Sequence, residues 1–274
     1  MNTDLARRSQ RVTRVVALCV LAIGLAVFAH SKKHIATMYW DLYQTQQLFE
    51  LPKNQSVKAP QRGGSRAQFV ANIRDLARAE NARIAAAQIL ISRALARQSG
   101  RTDGQIDLVL QQYQIFYRID PDLPATEQQR LLAKRAQPIP EDLVVAQAAI
   151  ESGWGRSRFA TEANNLFGQH CHWDGCGIRP KGVKTSSSLQ VQRFATHAHA
   201  VQAYYRNLNT HDAYQSFRDM RWTLIETAQP LQAPILAQGL EMYSEQSTRY
   251  VKQLKQVLQS DVLKTAIADR TNAP

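Results

Sequence analysis

The chain has 274 residues, 44% of them hydrophobic, with a formal net charge of +12 and a sequence pI of about 9.9. The length suits one large domain or two small ones and sets aside a chain too small to bury a core. The basic balance favours polyanionic partners, an acidic wall polymer, anionic lipid or nucleic acid, without choosing among them.

Arg7, Arg8, Arg11 and Arg14 precede an apolar run from Val15 to Ala29, and Lys32 and Lys33 follow it. A basic flank before an apolar run is an export signal. The run is short for a full span, a difference that snorkelling flanks can cover. Residues 1–31 are therefore expected to form an uncleaved anchor, with cleavage after Ala29 as the alternative. Either way the arginines stay inside and the rest is exported. Residues 32–65 form a stalk, and the Pro-, Gly- and Ser-rich stretch within it reads as a linker. A domain is expected over 66–262 and a frayed tail over 263–274.

From Arg66 the pattern is helical. Phe69, Ile73, Leu76, Ile84, Ile89, Ile91 and Leu95 recur at amphipathic spacing, and 66–98 holds no Pro or Gly. A second helix is predicted over Asp107–Tyr117, and a third after Pro124 with Thr126 as its cap. Pro140, Glu141 and Asp142 make a strong helix start. Gly, Pro, Lys and Ser then precede the alternation Leu189-Gln190-Val191-Gln192, which predicts a small β-hairpin within 177–194. Helical patterning returns over 196–208 and 245–262.

The chemistry concentrates after Leu143. Residues 143–150 are nearly all apolar, so their helix is expected to be buried all round, and Glu151 then appears in its last turn. Burial and the negative helix end both disfavour a charge there and raise the carboxyl pKa. A carboxylic acid protonated near neutral pH is what a glycosidase uses to protonate a leaving oxygen. A structural glutamate paired with a buried arginine is the competing reading. Ser152-Gly153-Trp154-Gly155 ends the helix, and Trp154 offers its face either to a sugar ring or to the core.

The stretch VVAQAAIESGWGRSRFATEANNLFG (144–168) resembles the signature of the family 73 glycoside hydrolases, the glucosaminidases, and most closely their Bax-type branch. The paired cysteines of Cys171 and Cys176, the run NLNTHDAY (207–214) and the run MYSEQSTRYV (242–251) extend the resemblance over about 66–260. It implies a mostly α, lysozyme-like fold with a small β-lobe, and hydrolysis of the β-1,4 bond after N-acetylglucosamine in peptidoglycan. By position it implies Glu151 as general acid. It implies Asn164, Asn165, Phe167 and Gly168 in the cleft floor, and Tyr204, Tyr243 and Tyr250 beside it.

Several such enzymes carry a second acidic residue in the β-lobe, but no Asp or Glu lies between Asp174 and Asp212 here. Substrate assistance by the 2-acetamido group is the economical substitute, with Asp174, Glu241 and Glu245 as reserve bases. Cys171 and Cys176 are expected as a disulfide in an oxidising compartment. Zinc is the alternative, but ligands crowded between His170 and Cys176 lack the two separated pairs that zinc prefers. No metal or other cofactor is expected. His197, His199 and His211 are assigned surface or capping roles. Nucleic acid is not expected as a partner, since no basic stripe falls on a nucleic-acid module. The competing functions are a lytic transglycosylase and a silent wall-binding module. The anchor has its own check: full-length protein is expected to fractionate with membranes and keep Met1–Ala29, whereas an N-terminus sequenced at His30 establishes cleavage.

Overall fold

The computed structural model describes residues 65–100, 107–182, 189–243 and 247–263. The expected anchor, the stalk before Ser65, Glu245 and the tail after Leu263 lie outside them. Among the described residues no helix is long and apolar enough to cross a membrane.

Helix α1 (Arg66–Ser99) is one rod of 34 residues, roughly 50 Å long at 1.5 Å per residue. Ser65 caps it, its hydroxyl accepting the Gln68 N–H at 3.1 Å. The first half turns Phe69, Val70, Ile73, Leu76 and Ala77 into the main core. The second half turns Ala87, Leu90, Ile91 and Ala94 into a smaller core shared with α2 (Leu108–Phe116) and α3 (Ala125–Arg135). Asp107 caps α2 and pairs with Arg97 at 2.6 Å, which joins the two helices across the connection. Pro124, not Thr126, occupies the cap position of α3; it has no side-chain donor or acceptor, and Thr126 falls in the first turn.

Helix α4 (Glu141–Ser152) starts after Pro140 with two acidic residues in its first turn. Every residue from Leu143 to Ala149 is buried. Helix α1 covers one side, helped by the Arg74–Asp142 pair at 2.6 Å. Helices α6 (His197–Thr210) and α9 (Ser247–Leu258) complete the sleeve. The sequence reading did not anticipate α5 (Arg158–Ala163), α7 (Gln215–Glu226), α8 (Ala233–Leu236) or the 3₁₀ turns at Asp212–Tyr214 and Ala237–Tyr243. Helix α7 carries Arg221, fully buried, whose guanidinium donates to the carbonyls of Lys134, Gln137 and Pro138 at 3.2 Å each. That is an unusual anchor, and it ties α7 to the α3–α4 connection.

The β-lobe is a three-stranded antiparallel sheet in which β3 (Gln190–Gln192) lies between β1 (His170–Cys171) and β2 (Gly177–Ile178). The predicted hairpin is the β2–β3 pair, with Ile178 opposite Val191; β1 adds His170 opposite the same residue. A disulfide joins Cys171 to Cys176 at a Cα separation of 6.2 Å, closing the loop between the two edge strands. Gly177 has no room for a side chain, because a Cβ there would lie 1.9 Å from the Val191 carbonyl oxygen. Gly177→Ala is therefore expected to destabilise the protein by roughly 1–3 kcal/mol through forced strand separation, read as a lower midpoint in urea. An unchanged midpoint would show that the sheet edge yields freely.

Candidate active site

Glu151 sits in the last turn of α4, half-buried, where the helix ends on Gly153 in the left-handed region at φ 57°. Trp154 and Gly155 continue in that region at φ 61° and 77°. Three successive left-handed residues reverse the chain, and Trp154 bears the strain that glycine escapes. Ser152 holds the knot together. Its buried hydroxyl donates to the Ala148 carbonyl at 2.5 Å and accepts the Gly155 N–H at 2.7 Å. Trp154 packs edge-on against Phe69, centroids 5.9 Å apart, and carries the Arg66 guanidinium 4.8 Å above its ring. The indole thus serves the core on one side and a cation on another.

The second wall of the site is the turn from Asn164 to Gly168. Asn164 ends α5 at φ 53° and donates to the carbonyls of Phe194 and Ala195. Asn165 is buried and fully engaged. Its Oδ1 accepts from the N–H groups of Phe167 and Gln169 at 3.2 Å, and its Nδ2 donates to the carbonyls of Gln169 and Gln192 at 2.9 Å. This one amide fixes the turn and ties it to β3. It has no spare donor for a substrate acetamido group. Gly168, at φ 68°, then passes so near the carboxyl that a Cβ would stand 3.5 Å from Glu151 Oε2.

Behind Glu151 lies a layer of aromatic rings. Phe167 stacks on Tyr204 at 4.1 Å, and Tyr243 stacks on Tyr250 at 5.4 Å. Tyr243 donates its hydroxyl proton to the Phe167 carbonyl at 3.1 Å, which braces the turn. Phe167, Tyr204 and Tyr250 are buried, while Tyr243 is half-exposed. The Tyr250 hydroxyl lies within hydrogen-bonding reach of the Glu151 carboxyl. It also accepts from Gln147 Nε2 at 2.8 Å, and Gln147 Oε1 accepts from Tyr204 at 2.6 Å.

Burial raises the Glu151 carboxyl and a hydrogen bond from Tyr250 opposes it, which together leave it at about 7. Among the described residues no arginine pairs with it, so the reading of a glutamate buried against a cation has no support there. Burial likewise raises the Tyr204, Tyr243 and Tyr250 phenols, which stay protonated and act as donors.

The remaining candidates lie elsewhere in role. Asp174 and Glu241 are exposed, as is Glu226. His211 caps the 3₁₀ turn through Nδ1, and His199 Nδ1 meets the Thr196 hydroxyl at 2.8 Å. His197, expected in a surface or capping role, is buried against the Ala160 carbonyl, and burial depresses its imidazole. Sequence reasoning missed Gln147 and Ser152. Both were visible as polar residues inside an apolar helix, a placement that demands a partner.

Residues 128–262 match the sequence profile of the glucosaminidase family, described as mannosyl-glycoprotein endo-beta-N-acetylglucosaminidase. That stretch includes Glu151, the Asn164–Gly168 turn and all of the tyrosines behind them. That segment belongs to the glucosaminidase family. Over 119 residues the chain is 40% identical to Protein bax of Escherichia coli (strain K12), a stretch that spans 43% of this chain and 42% of that protein. The chain thus matches less than half the length of this curated relative. No solved structure matches it. The glucosaminidase segment begins within α3, so α1, which supplies Phe69 beneath Trp154, precedes it.

The raised pKa of Glu151 carries a stability cost with a definite sign. The folded state holds the proton up to about 7 and the unfolded state releases it near the ordinary 4.5, so stability falls as pH rises between those values. Glu151→Gln removes that penalty. It is expected to stabilise the protein by roughly 1–3 kcal/mol at pH 8 and much less at pH 5. Equal effects at the two pH values, in thermal melts, would show that burial does not perturb this carboxyl.

Proposed function

We propose that the chain is a peptidoglycan hydrolase that cleaves the β-1,4 bond after N-acetylglucosamine, with Glu151 as its general acid. The observation that carries this is a carboxyl pushed up to about 7, half-buried beside Gly168 in a segment of glucosaminidase family. Such a group donates a proton near neutral pH and accepts it back from water in a second step. Gly168 presents no side chain beside the acid, which leaves room for a sugar to approach it closely. The helical body with a small sheet at one side is consistent with a lysozyme-like cleft.

A base carboxylate for inversion has to stand about 6.5–9.5 Å from the acid across the sugar ring. Asp174 and Glu241 are exposed, and Glu245 lies outside the described residues. We therefore assign the nucleophile to the substrate's own 2-acetamido oxygen, with retention of the β-anomer. Neither expected helper has a free donor for that group: Asn165 is fully engaged, and the Tyr243 hydroxyl proton is held by the Phe167 carbonyl. The partners are peptidoglycan glycan strands and, through residues 1–31, the inner membrane; the basic flank and apolar run support that placement on the periplasmic side.

Incubation of the purified protein with peptidoglycan, followed by mass spectrometry of the new ends, tests this reading. Reducing-end N-acetylglucosamine is expected. 1,6-Anhydro-muramic ends would identify a lytic transglycosylase, and no new ends would identify a silent wall-binding module. Glu151→Gln is expected to lower the rate at least about 100-fold in a folded protein. Proton NMR at early times is expected to show β-product, and initial α-product would exclude retention.

A further inference from the structure

Gln147 stands one helical turn before Glu151 on α4, so both side chains leave the same face of that helix. It is completely buried, in a stretch otherwise built of Leu, Val and Ala. A carboxamide in that position is costly unless both of its ends are satisfied. They are, and by different partners: Tyr204 on α6 donates to Oε1 at 2.6 Å, and Nε2 donates to Tyr250 on α9 at 2.8 Å.

The order matters because a primary amide has a direction. A phenol facing an amide oxygen must donate, and a phenol facing an amide N–H must accept. Tyr204 therefore commits its proton to Gln147. Gln147 in turn occupies a lone pair of Tyr250. The Tyr250 proton is then left to point at the remaining neighbour, Glu151. Turning the amide over would face its N–H to Tyr204 and strand the Tyr204 proton in the core. The row thus runs one way, from Tyr204 through Gln147 and Tyr250 to the carboxyl.

We propose that Gln147 is a positioning residue: held from behind by Tyr204, its amide aims the Tyr250 hydroxyl proton at the Glu151 carboxylate. This rests on Glu151 being the reactive acid, but the aim itself is a property of the resting protein. A donated hydrogen bond favours the carboxylate over the acid, and so opposes the burial that favours the acid. The groups facing Glu151 from neighbouring elements are Tyr204 on α6, Tyr214 and Tyr243 on the 3₁₀ turns, and Tyr250 on α9, all neutral phenols. None adds a charge that changes with pH near neutrality. The Glu151 proton is thereby left balanced between burial and one oriented phenol, which suits a group that must give a proton and take one back.

The test is direct titration of Glu151 in the full-length chain by carboxyl ¹³C NMR, with Glu151→Gln identifying the resonance. Tyr204→Phe keeps the ring and its stack on Phe167 and removes only the far end of the row. It frees the amide to turn over, so that Tyr250 can accept from a protonated Glu151. The midpoint is expected to rise by roughly half a unit to one unit. Gln147→Met, similar in volume, is expected to shift it in the same direction and serves as the second variant if Tyr204→Phe does not fold. In a Tyr250→Phe background neither change is expected to move the midpoint further. An unshifted or lowered midpoint, or a shift that persists without the Tyr250 hydroxyl, overturns the proposal. Activity is a separate arm: the alkaline limit of kcat should follow the midpoint while KM stays constant. A chain that titrates as described but cuts no glycan would remove the hydrolase reading and leave the positioning role standing.

Discussion

Helix α4 is covered on every side, yet it carries an amide and a carboxyl on one face near its end. Water cannot reach the amide, so the protein must satisfy Gln147 from within. The two tyrosines that do so come from α6 and α9, far apart in sequence, and their hydroxyls reach opposite ends of one amide because the fold brings both helices to α4. Covering the apolar face and satisfying its polar member are thus one requirement. Meeting it sets the aromatic layer behind the site, and that layer in turn braces the Asn164–Gly168 turn through Phe167 and Tyr243.

The site is framed by two chain reversals that both use the left-handed region. One, at Gly153–Gly155, lets the chain leave the helix directly after the acid. The other, at Asn164–Gly168, returns it past the same carboxyl. Each is held by one small polar side chain that is saturated with backbone partners, Ser152 in the first and Asn165 in the second. A buried polar side chain with every hydrogen bond made is stiff, because moving it leaves several groups unpaired at once. Rigidity near the acid therefore comes from backbone-bonded side chains, and the sheet contributes by anchoring the turn at Gln192.

Burial that raises the Glu151 pKa works against folding at neutral pH, and it is offset elsewhere. Helix α1 is the main source, since one rod supplies apolar residues to both cores and ion pairs to the starts of α2 and α4. Arg221 adds three carbonyl bonds from a fully buried guanidinium, with burial lowering its pKa to about 9. A desolvated cation of this kind fixes geometry more than it adds stability.

The sequence by itself determined the helical body, the long α1, the start and end of α4, and the acid at its terminus. Those features are written in local terms: apolar spacing, Pro140 before acidic residues, and glycines after Ser152. The ordered motifs also determined the family. What local terms cannot hold is which distant side chains meet. Helix α7 was passed over because its apolar pattern is interrupted by Arg218 and Arg221, and only the fold shows that buried carbonyls receive those guanidinium groups. Tyr204 and Tyr250 were read as neighbours of the cleft, whereas the packing of α6 and α9 buries both and makes them partners of Gln147. Asn165 looked free for a substrate until the turn it pins was seen to use every bond it has. Periodicity fixes the face on which a residue lies, but the partner across that face is chosen by long-range packing, and with it the proton affinity of Glu151.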